Sequence, residues 1–292
     1  MAVGAGLARL VGVWPVSFCA WFVAAWYFLL KPVQRRHSLE LFRAMLPDSP
    51  PARHWLVAWR QYQSFTTIFV DHLRLRAGLP LSHRVEGEEH LQAALGQGKG
   101  VILLMSHFGN WEVAAHMLKQ RGQPLMIYLG ERQGEQIEAM QKETMQEARI
   151  KLVKLSAGGG SPLDGLEGLK FLRDGGLVSM TGDRLWAGER KIAVRFLGHR
   201  LELPAAPHSM ALVSGAPLLT FFTVREGGGH YRLVISPPRL VRAASRPQRE
   251  EAVRQSAASY AVELEAMVRR YPEQWYTFEP FLGPALDQDQ AA

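Results

Sequence analysis

The segment from Ser106 to Glu112 carries the residues best suited to chemistry. His107 and Glu112 are separated by four residues, and Gly109 between them can adopt the backbone angles of a tight reversal. A carboxylate beside an imidazole can orient the ring and stabilise its cation, while the other ring nitrogen takes a proton from a hydroxyl. The spacing therefore predicts a His107–Glu112 general-base pair. The alternative is that Glu112 only complements a helix dipole and His107 only caps a strand.

The nucleophile for such a pair is expected to come from the substrate. The chain has no G-x-S-x-G elbow, and its single cysteine, Cys19, lies in an apolar N-terminal run. Direct transfer of a group to a substrate hydroxyl is therefore simpler than a covalent enzyme intermediate. One cysteine also excludes an internal disulfide and a cysteine-rich metal site, so we expect no metal or redox cofactor.

A buried strand must position this segment. Val101 to Met105 is a short apolar run that ends at Ser106, and ligands of open α/β sheets bind outside the carboxyl ends of strands. Asn110 is a good helix N-cap, so a helix should begin near Trp111 with Glu112 in its first turn. The sequence thus places both candidate side chains at one strand-to-helix junction.

Strand and helix patterns alternate along the rest of the chain. This alternation predicts an α/β fold with a largely parallel central sheet flanked by helices. Helical spacing recurs from Trp55 to Leu73 and from Val253 to Tyr271. The other predicted strands are Leu125–Tyr128, Leu177–Thr181, Leu218–Val224 and Tyr231–Ser236, and the helical stretches between them include Glu135–Arg149 and Leu166–Arg173.

Asp183 and Arg184 are further candidates for the site, because they end the apolar strand Leu177–Thr181. Polar side chains at that position often reach the ligand crevice, although a turn rich in Asp and Arg is also commonplace. The glycine-rich stretch 157–162 lacks the Gly-Lys-Ser/Thr ending of a phosphate loop, so it is interpreted as a surface turn.

The overall charge favours an anionic partner. The 292 residues carry a formal net charge of +7 and a sequence pI near 9.7, which suits a membrane leaflet, an acidic carrier protein or nucleic acid. Zinc-finger spacing, an aromatic RNA-binding signature and a dense Lys/Arg block are all absent from the sequence, so we expect no nucleic-acid partner.

The N-terminus predicts attachment to a membrane. Leu10 to Leu30 contains no charged residue, and a run of that length spans a bilayer and exceeds a signal-peptide core. Lys31, Arg35 and Arg36 follow the run, which favours a cytoplasmic C-terminal side at the bacterial inner membrane. The predicted division is an anchor over residues 1–31 and a catalytic domain over 32–292. The alternative is a buried or membrane-surface helix kinked at Pro15.

The segment His107 to Glu112 resembles the HX4(D/E) block of the bacterial late lipid A (lauroyl and myristoyl) acyltransferases, within the glycerolipid acyltransferase superfamily. Other landmarks match in the same order over nearly the whole chain: Arg35-Arg36, Leu41–Pro47, Gly182-Asp183-Arg184, Phe196-Leu197-Gly198, Gly215-Ala216-Pro217 and Tyr271–Trp275. The resemblance implies an acyl carrier protein or coenzyme A thioester as donor, and His107 with Glu112 as catalytic dyad.

Two segments depart from the family pattern. An arginine-proline pair usually follows the second strand, whereas Tyr128 is followed here by Leu129-Gly130-Glu131-Arg132, so Arg132 is the candidate for that arginine. The C-terminal Trp275–Phe281 segment lacks the Trp-x-x-Arg-Arg-like element of the lipid A enzymes. This variant is closer to superfamily members whose acceptor is another lipid or a polyene.

These observations predict a membrane-bound O-acyltransferase acting on a hydroxyl of a lipid A precursor or related glycolipid. His107 and Glu112 are the predicted catalytic residues, and Asn110, Arg132, Asp183 and Arg184 are predicted to bind substrate. The alternatives are a lysophospholipid, glycolipid or aryl-polyene acceptor, a thioesterase that uses water as the nucleophile, and a silent membrane-bound binder of lipid or carrier protein.

Overall fold

The computed structural model describes residues 13–79, 81–120, 122–130, 150–155, 161–185 and 188–286. Its helices are α1 Trp14–Leu30, α2 Pro32–Met45, α3 Pro51–Arg76, α4 Glu88–Leu95, α5 Trp111–Gln120, α6 Pro162–Arg173, α7 Ala206–Ser214 and α8 Arg249–Arg270, followed by a 3₁₀ turn at Pro272–Gln274. Its strands are β1 Ser82–Glu86, β2 Val101–Met105, β3 Leu125–Gly130, β4 Lys151–Leu155, β5 Leu177–Thr181, β6 Lys191–Phe196, β7 His199–Pro204, β8 Leu218–Gly227 and β9 His230–Ile235.

The described strands form one seven-stranded sheet in the order β1-β9-β8-β2-β5-β3-β4 and a separate β6–β7 hairpin. Neighbours in the large sheet are parallel except for β8 and β9, which are antiparallel. The predicted α/β class with a largely parallel sheet is confirmed. Strand β2 lies between β5 and β8, so the loop that contains His107 leaves the middle of the sheet.

Side chains of β2 alternate between two hydrophobic layers, as the two-residue period of a strand requires. Ile102 and Leu104 pack in the layer that includes the N-terminal helices and α8. Val101, Leu103 and Met105 pack in the other layer, with α4 and α5. Every residue of β2 is buried, which explains why the strand appears in the sequence as an unbroken apolar run.

The predicted elements agree with the structure over most of the described chain. The helical spacing from Trp55 to Leu73 lies within α3, and that from Val253 to Tyr271 corresponds to α8. Each predicted strand is present within a few residues of its expected bounds. The predicted helix Glu135–Arg149 and the glycine-rich stretch around 157–160 lie outside the described residues.

Helix α1 packs along α3 and leaves an apolar face exposed. Ala24 and Phe28 are buried against the body of the protein, where the Phe28 ring meets Tyr62 edge-on at 5.2 Å. Trp14 and Trp26 remain 66% and 65% exposed. Within the described ranges, no single helix has both the length and the apolarity needed to cross a bilayer. Helices α1 and α2 meet that standard only together, with a 90° bend between them.

Candidate active site

The register of two parallel strands brings His107 and Asp183 together. Met105 at the end of β2 pairs with Thr181 at the end of β5. His107 and Asp183 each lie two residues beyond that pair, so both loops leave the sheet at the same level and on the same edge. A residue 76 positions away along the chain thereby becomes the neighbour of His107.

Both oxygens of the Asp183 carboxylate accept hydrogen bonds from His107. The imidazole Nδ1 is 2.9 Å from Oδ1, and the backbone N–H of His107 donates to Oδ2 over 2.8 Å. Side-chain exposure is 29% for His107 but only 1% for Asp183. The imidazole therefore reaches solvent, while the carboxylate that holds it is shielded from water.

Asp183 is ionised in this setting. Burial by itself would raise the pKa of the Asp183 carboxyl, but the charge and hydrogen bond of His107, the Arg184 guanidinium and the Trp275 indole outweigh burial and leave the pKa below its ordinary value. A buried carboxylate that stays charged can fix the imidazole tautomer with Nδ1–H and stabilise the imidazolium. The arrangement is able to support general-base chemistry at Nε2.

The loop after β2 depends on the absence of a side chain at Gly109. Its backbone has a φ of +63°, and a Cβ at this position would lie 1.6 Å from the carbonyl oxygen of Thr223 in β8. The N–H of Gly109 donates to the Gln274 carbonyl over 2.8 Å. The reversal predicted at this glycine is thus built against both β8 and the C-terminal segment.

The C-terminal segment forms one wall of the site. Phe108 and Trp275 form an antiparallel bridge, and the Tyr276 N–H donates to the His107 carbonyl over 2.8 Å. The Trp275 indole N–H donates to Oδ2 of Asp183 over 2.9 Å. The sequence marked Tyr271–Trp275 only as a family landmark, because nothing in its spacing indicated contact with residues 107–109.

Glu112 lies in the first turn of α5, which begins at Trp111 as expected. Its side chain is outside the described part of the structure, so the role of Glu112 stays a prediction. The described carboxylate beside Nδ1 of His107 belongs to Asp183, which the sequence had assigned to substrate binding. Local spacing suggested Glu112 because it cannot show which strand lies beside β2.

Asn110 is only 1% exposed, and its side chain lies close enough to the Tyr231 hydroxyl to lower the pKa of that group. Tyr231 in turn donates to the buried carboxylate of Asp71 in α3, which also accepts a hydrogen bond from Arg225 Nε over 2.6 Å. This chain of contacts links the loop after β2 to α3 and β8. The surroundings of Asn110 therefore indicate a structural role for this side chain. Its contact with substrate stays a prediction.

Arg184 reaches the C-terminal segment. It donates from Nη2 to the Tyr276 carbonyl over 2.8 Å, and its Nη1 is 3.6 Å from Glu279 Oε2. A cavity of about 380 Å³ adjoins Asp183 and Arg184, with Arg200, Leu201 and Phe281 among its other lining residues. A binding role for Arg184 at this cavity stays a prediction, and Arg132 lies outside the described residues.

Comparisons with known proteins give a consistent result. The family model "Bacterial lipid A biosynthesis acyltransferase" matches residues 4–282. A phosphatidylinositol mannoside acyltransferase of Mycobacterium tuberculosis (strain ATCC 25618 / H37Rv) is 28% identical over 171 residues, which are 59% of this chain and 52% of the relative. The enzyme of the same name from Mycolicibacterium smegmatis (strain ATCC 700084 / mc(2)155) is 26% identical over 241 residues, or 82% of this chain and 72% of that one. The match to the M. tuberculosis relative therefore spans about half of its length.

Proposed function

Since the chain belongs to the bacterial lipid A biosynthesis acyltransferase family, we propose that it moves a fatty acyl group from a thioester donor to a hydroxyl of a membrane glycolipid. The observation that carries this proposal is the partly exposed His107 held through Nδ1 by the buried Asp183 carboxylate. An imidazole fixed in this way leaves Nε2 to act as the base.

The proposed reaction proceeds by direct attack. His107 Nε2 takes the proton of the acceptor hydroxyl as its oxygen bonds to the thioester carbonyl carbon. The tetrahedral intermediate then expels the thiolate, which receives the proton from the imidazolium and leaves as the free thiol. Asp183 stabilises the imidazolium between these two steps, and the ester is formed without an acyl-enzyme.

The proposed acceptor is a sugar hydroxyl of a glycolipid. A lipid A precursor was expected from the sequence, and two relatives are named for acylation of phosphatidylinositol mannoside. Both acceptors present a sugar hydroxyl next to a lipid anchor, and this shared chemistry is what we propose. The donor is proposed to be an acyl carrier protein or coenzyme A thioester.

Attachment to the bacterial inner membrane is the second part of the proposal. The exposed side of α1 carries Trp14, Phe18, Trp26 and Leu29, each at least 60% exposed. The basic residues Lys31 and Arg36 follow this face, an arrangement that suits an anionic leaflet. We propose that α1 holds the acyltransferase domain on the cytoplasmic side, where donor and lipid acceptor can meet.

Comparative lipid mass spectrometry tests the reaction. Cells that lack the protein are complemented with the wild type, with His107→Ala or with His83→Ala, a histidine on the exposed strand β1. Wild type and His83→Ala should restore one acylated glycolipid, and its mass gives the acyl chain and the acceptor. His107→Ala should leave the acceptor unmodified. Restoration by His107→Ala at equal protein level would refute the mechanism.

Vesicle flotation tests the attachment. Full-length protein is mixed with vesicles of phosphatidylethanolamine and phosphatidylglycerol, and Trp26→Glu/Leu29→Glu is compared with Val262→Glu. Val262 is a matched control because it is an apolar residue, 68% exposed, on a different helix, α8. We expect flotation to weaken only in the α1 variant, since inserting two carboxylates into lipid is costly. Equal flotation of both variants would contradict attachment through α1.

A further inference from the structure

The Trp275 indole is the third hydrogen-bond donor to the Asp183 carboxylate. Oδ2 accepts from the His107 backbone N–H and from the indole N–H, while Oδ1 faces the His107 ring. Oδ2 is therefore held by two N–H donors, one from the backbone and one from the indole. A donor to a carboxylate stabilises its negative charge as well as its orientation.

We infer that Trp275 is a positioning residue that sets the basicity of His107 through Asp183. The indole N–H partly neutralises the negative charge of Asp183. It thereby limits how strongly the carboxylate stabilises the imidazolium relative to the neutral imidazole. A base that holds its proton too tightly is occupied at neutral pH and cannot accept another. The kinetic part of this inference rests on the proposed acyl transfer, but the ionisation part does not.

The surroundings of Trp275 keep its N–H aimed at Asp183. The indole is fully buried, and the Phe281 ring meets it edge-on at 4.6 Å. Phe196 packs at 5.5 Å from another side. Gln61 of α3 donates from Nε2 to the Trp275 carbonyl over 2.7 Å, and the bridge to Phe108 fixes the backbone. A donor held this firmly makes its hydrogen bond without losing side-chain entropy during the reaction.

The other described ionisable groups that act on Asp183 do not titrate near neutrality. Arg184 acts on Asp183 through a guanidinium, a group that is not deprotonated in proteins. Tyr260 of α8 is neutral because burial, followed by the Asp183 charge, raises its pKa well above the ordinary value. Changes in the protonation of this cluster between pH 5 and 9 are therefore assigned to His107 itself.

Trp275→Phe removes the N–H and keeps an aromatic ring. Replacement of Trp275 by benzothienylalanine, introduced at this single codon, keeps the indole shape with sulfur in place of N–H. The His107 Cε1–H resonance is followed by NMR in detergent-solubilised full-length protein and assigned by its loss in His107→Ala. The free energy of a hydrogen bond to a charged acceptor is similar to the free energy that corresponds to a pKa shift of about one unit. We therefore expect the pKa of His107 to rise by about one pH unit in both variants.

The acid limb of the pH profile of kcat/KM should move upward by the same amount, which lowers kcat/KM near pH 6.5 by up to about tenfold. Phe196→Leu is the matched control, because it loosens the packing of the indole but keeps the N–H. It should lower the melting temperature without moving the pKa of His107 or the acid limb.

An unchanged pKa of His107 in the folded benzothienylalanine variant would overturn the inference, as would an equal shift in Phe196→Leu. The titration needs no turnover. If the wild-type protein shows no acyl transfer, the proposed function is refuted. The role of Trp275 would still be decided by the NMR titration.

Discussion

Two buried aspartates in this protein differ in the kind of partner that each one holds. Asp71 accepts hydrogen bonds from Arg225 and Tyr231, whereas Asp183 accepts from His107 and Trp275. Side-chain exposure is 0% for Asp71 and 1% for Asp183. Burial alone therefore does not distinguish a structural carboxylate from one that takes part in a candidate active site.

The partners make the distinction. Arg225 is permanently charged, and burial together with Asp71 raises the pKa of Tyr231 far above neutrality, so neither of these two donors changes its protonation near pH 7. The partner of Asp183 is an imidazole, whose ordinary pKa allows it to gain and lose a proton near pH 7, and that imidazole reaches solvent. The Asp71 cluster connects α3 to β8 and β9. The Asp183 cluster contains a group that can accept and release a proton.

The largest effect that sharpens this comparison is expected at Asp183. Asp183→Asn removes the charge that stabilises the imidazolium and should lower kcat about 10²–10⁴-fold with the fold retained. The double variant His107→Ala/Asp183→Asn should be little slower than His107→Ala alone, because a base and its orienting group act as one unit. Steady-state kinetics on purified full-length protein measure both quantities.

The kcat of Glu112→Gln should be compared with that of Asp183→Asn. If Asp183 orients His107, Glu112→Gln should lower kcat less than Asp183→Asn does. The reverse order would restore Glu112 to the orienting role that the sequence predicted and would assign Asp183 mainly to holding the loop after β2.

Asp71→Ala should produce a large loss of stability and leave catalysis per folded molecule intact. Removal of one partner from a buried ion pair leaves the other charge uncompensated, at a cost of about 3–5 kcal/mol. Denaturant unfolding gives the free energy, and active-site-normalised rates give the catalysis. The double variant Asp71→Leu/Arg225→Met should recover part of the stability, because it removes both charges of this pair and leaves only Arg74, 3.6 Å from Asp71, without its partner. A specific loss of kcat in folded Asp71→Ala would show that the two clusters are coupled.

The smallest expected effect is a pH dependence of stability due to His208. Burial, with a contribution from Arg239, lowers the pKa of His208 to about 3, and its Nδ1 is 2.8 Å from the Ser256 hydroxyl. The unfolded chain binds a proton near pH 6.5, whereas the folded chain resists it down to about pH 3. The contribution of His208 to the free energy of unfolding is therefore highest above pH 6.5. It falls as the pH is lowered from 6.5 towards about 3.

The slope from this one group is at most about 1.4 kcal/mol per pH unit. His208→Gln keeps a polar side chain but does not titrate, so its unfolding free energy should change less than that of the wild type between pH 7 and pH 5. A steeper change in His208→Gln than in the wild type would contradict the assignment.

The sequence predicted local features of the site well. The apolar run Val101–Met105, the reversal at Gly109 and the helix that begins at Trp111 are all determined by neighbouring residues. Strand and helix periodicity report which face of an element is buried, and this information is contained in a window of about ten residues. His107 could be recognised because it lies directly at the end of such a window.

The partners of His107 were decided by the tertiary structure. Asp183 reaches His107 because β5 lies beside β2 in matching register, and Trp275 reaches Asp183 because the chain after α8 returns to bridge residue 108. Strand order depends on the packing of distant elements, which no local pattern encodes. The sequence by itself therefore determined which imidazole could act and where its strand ends, whereas the three-dimensional arrangement of the sheet decided which carboxylate and which indole surround it.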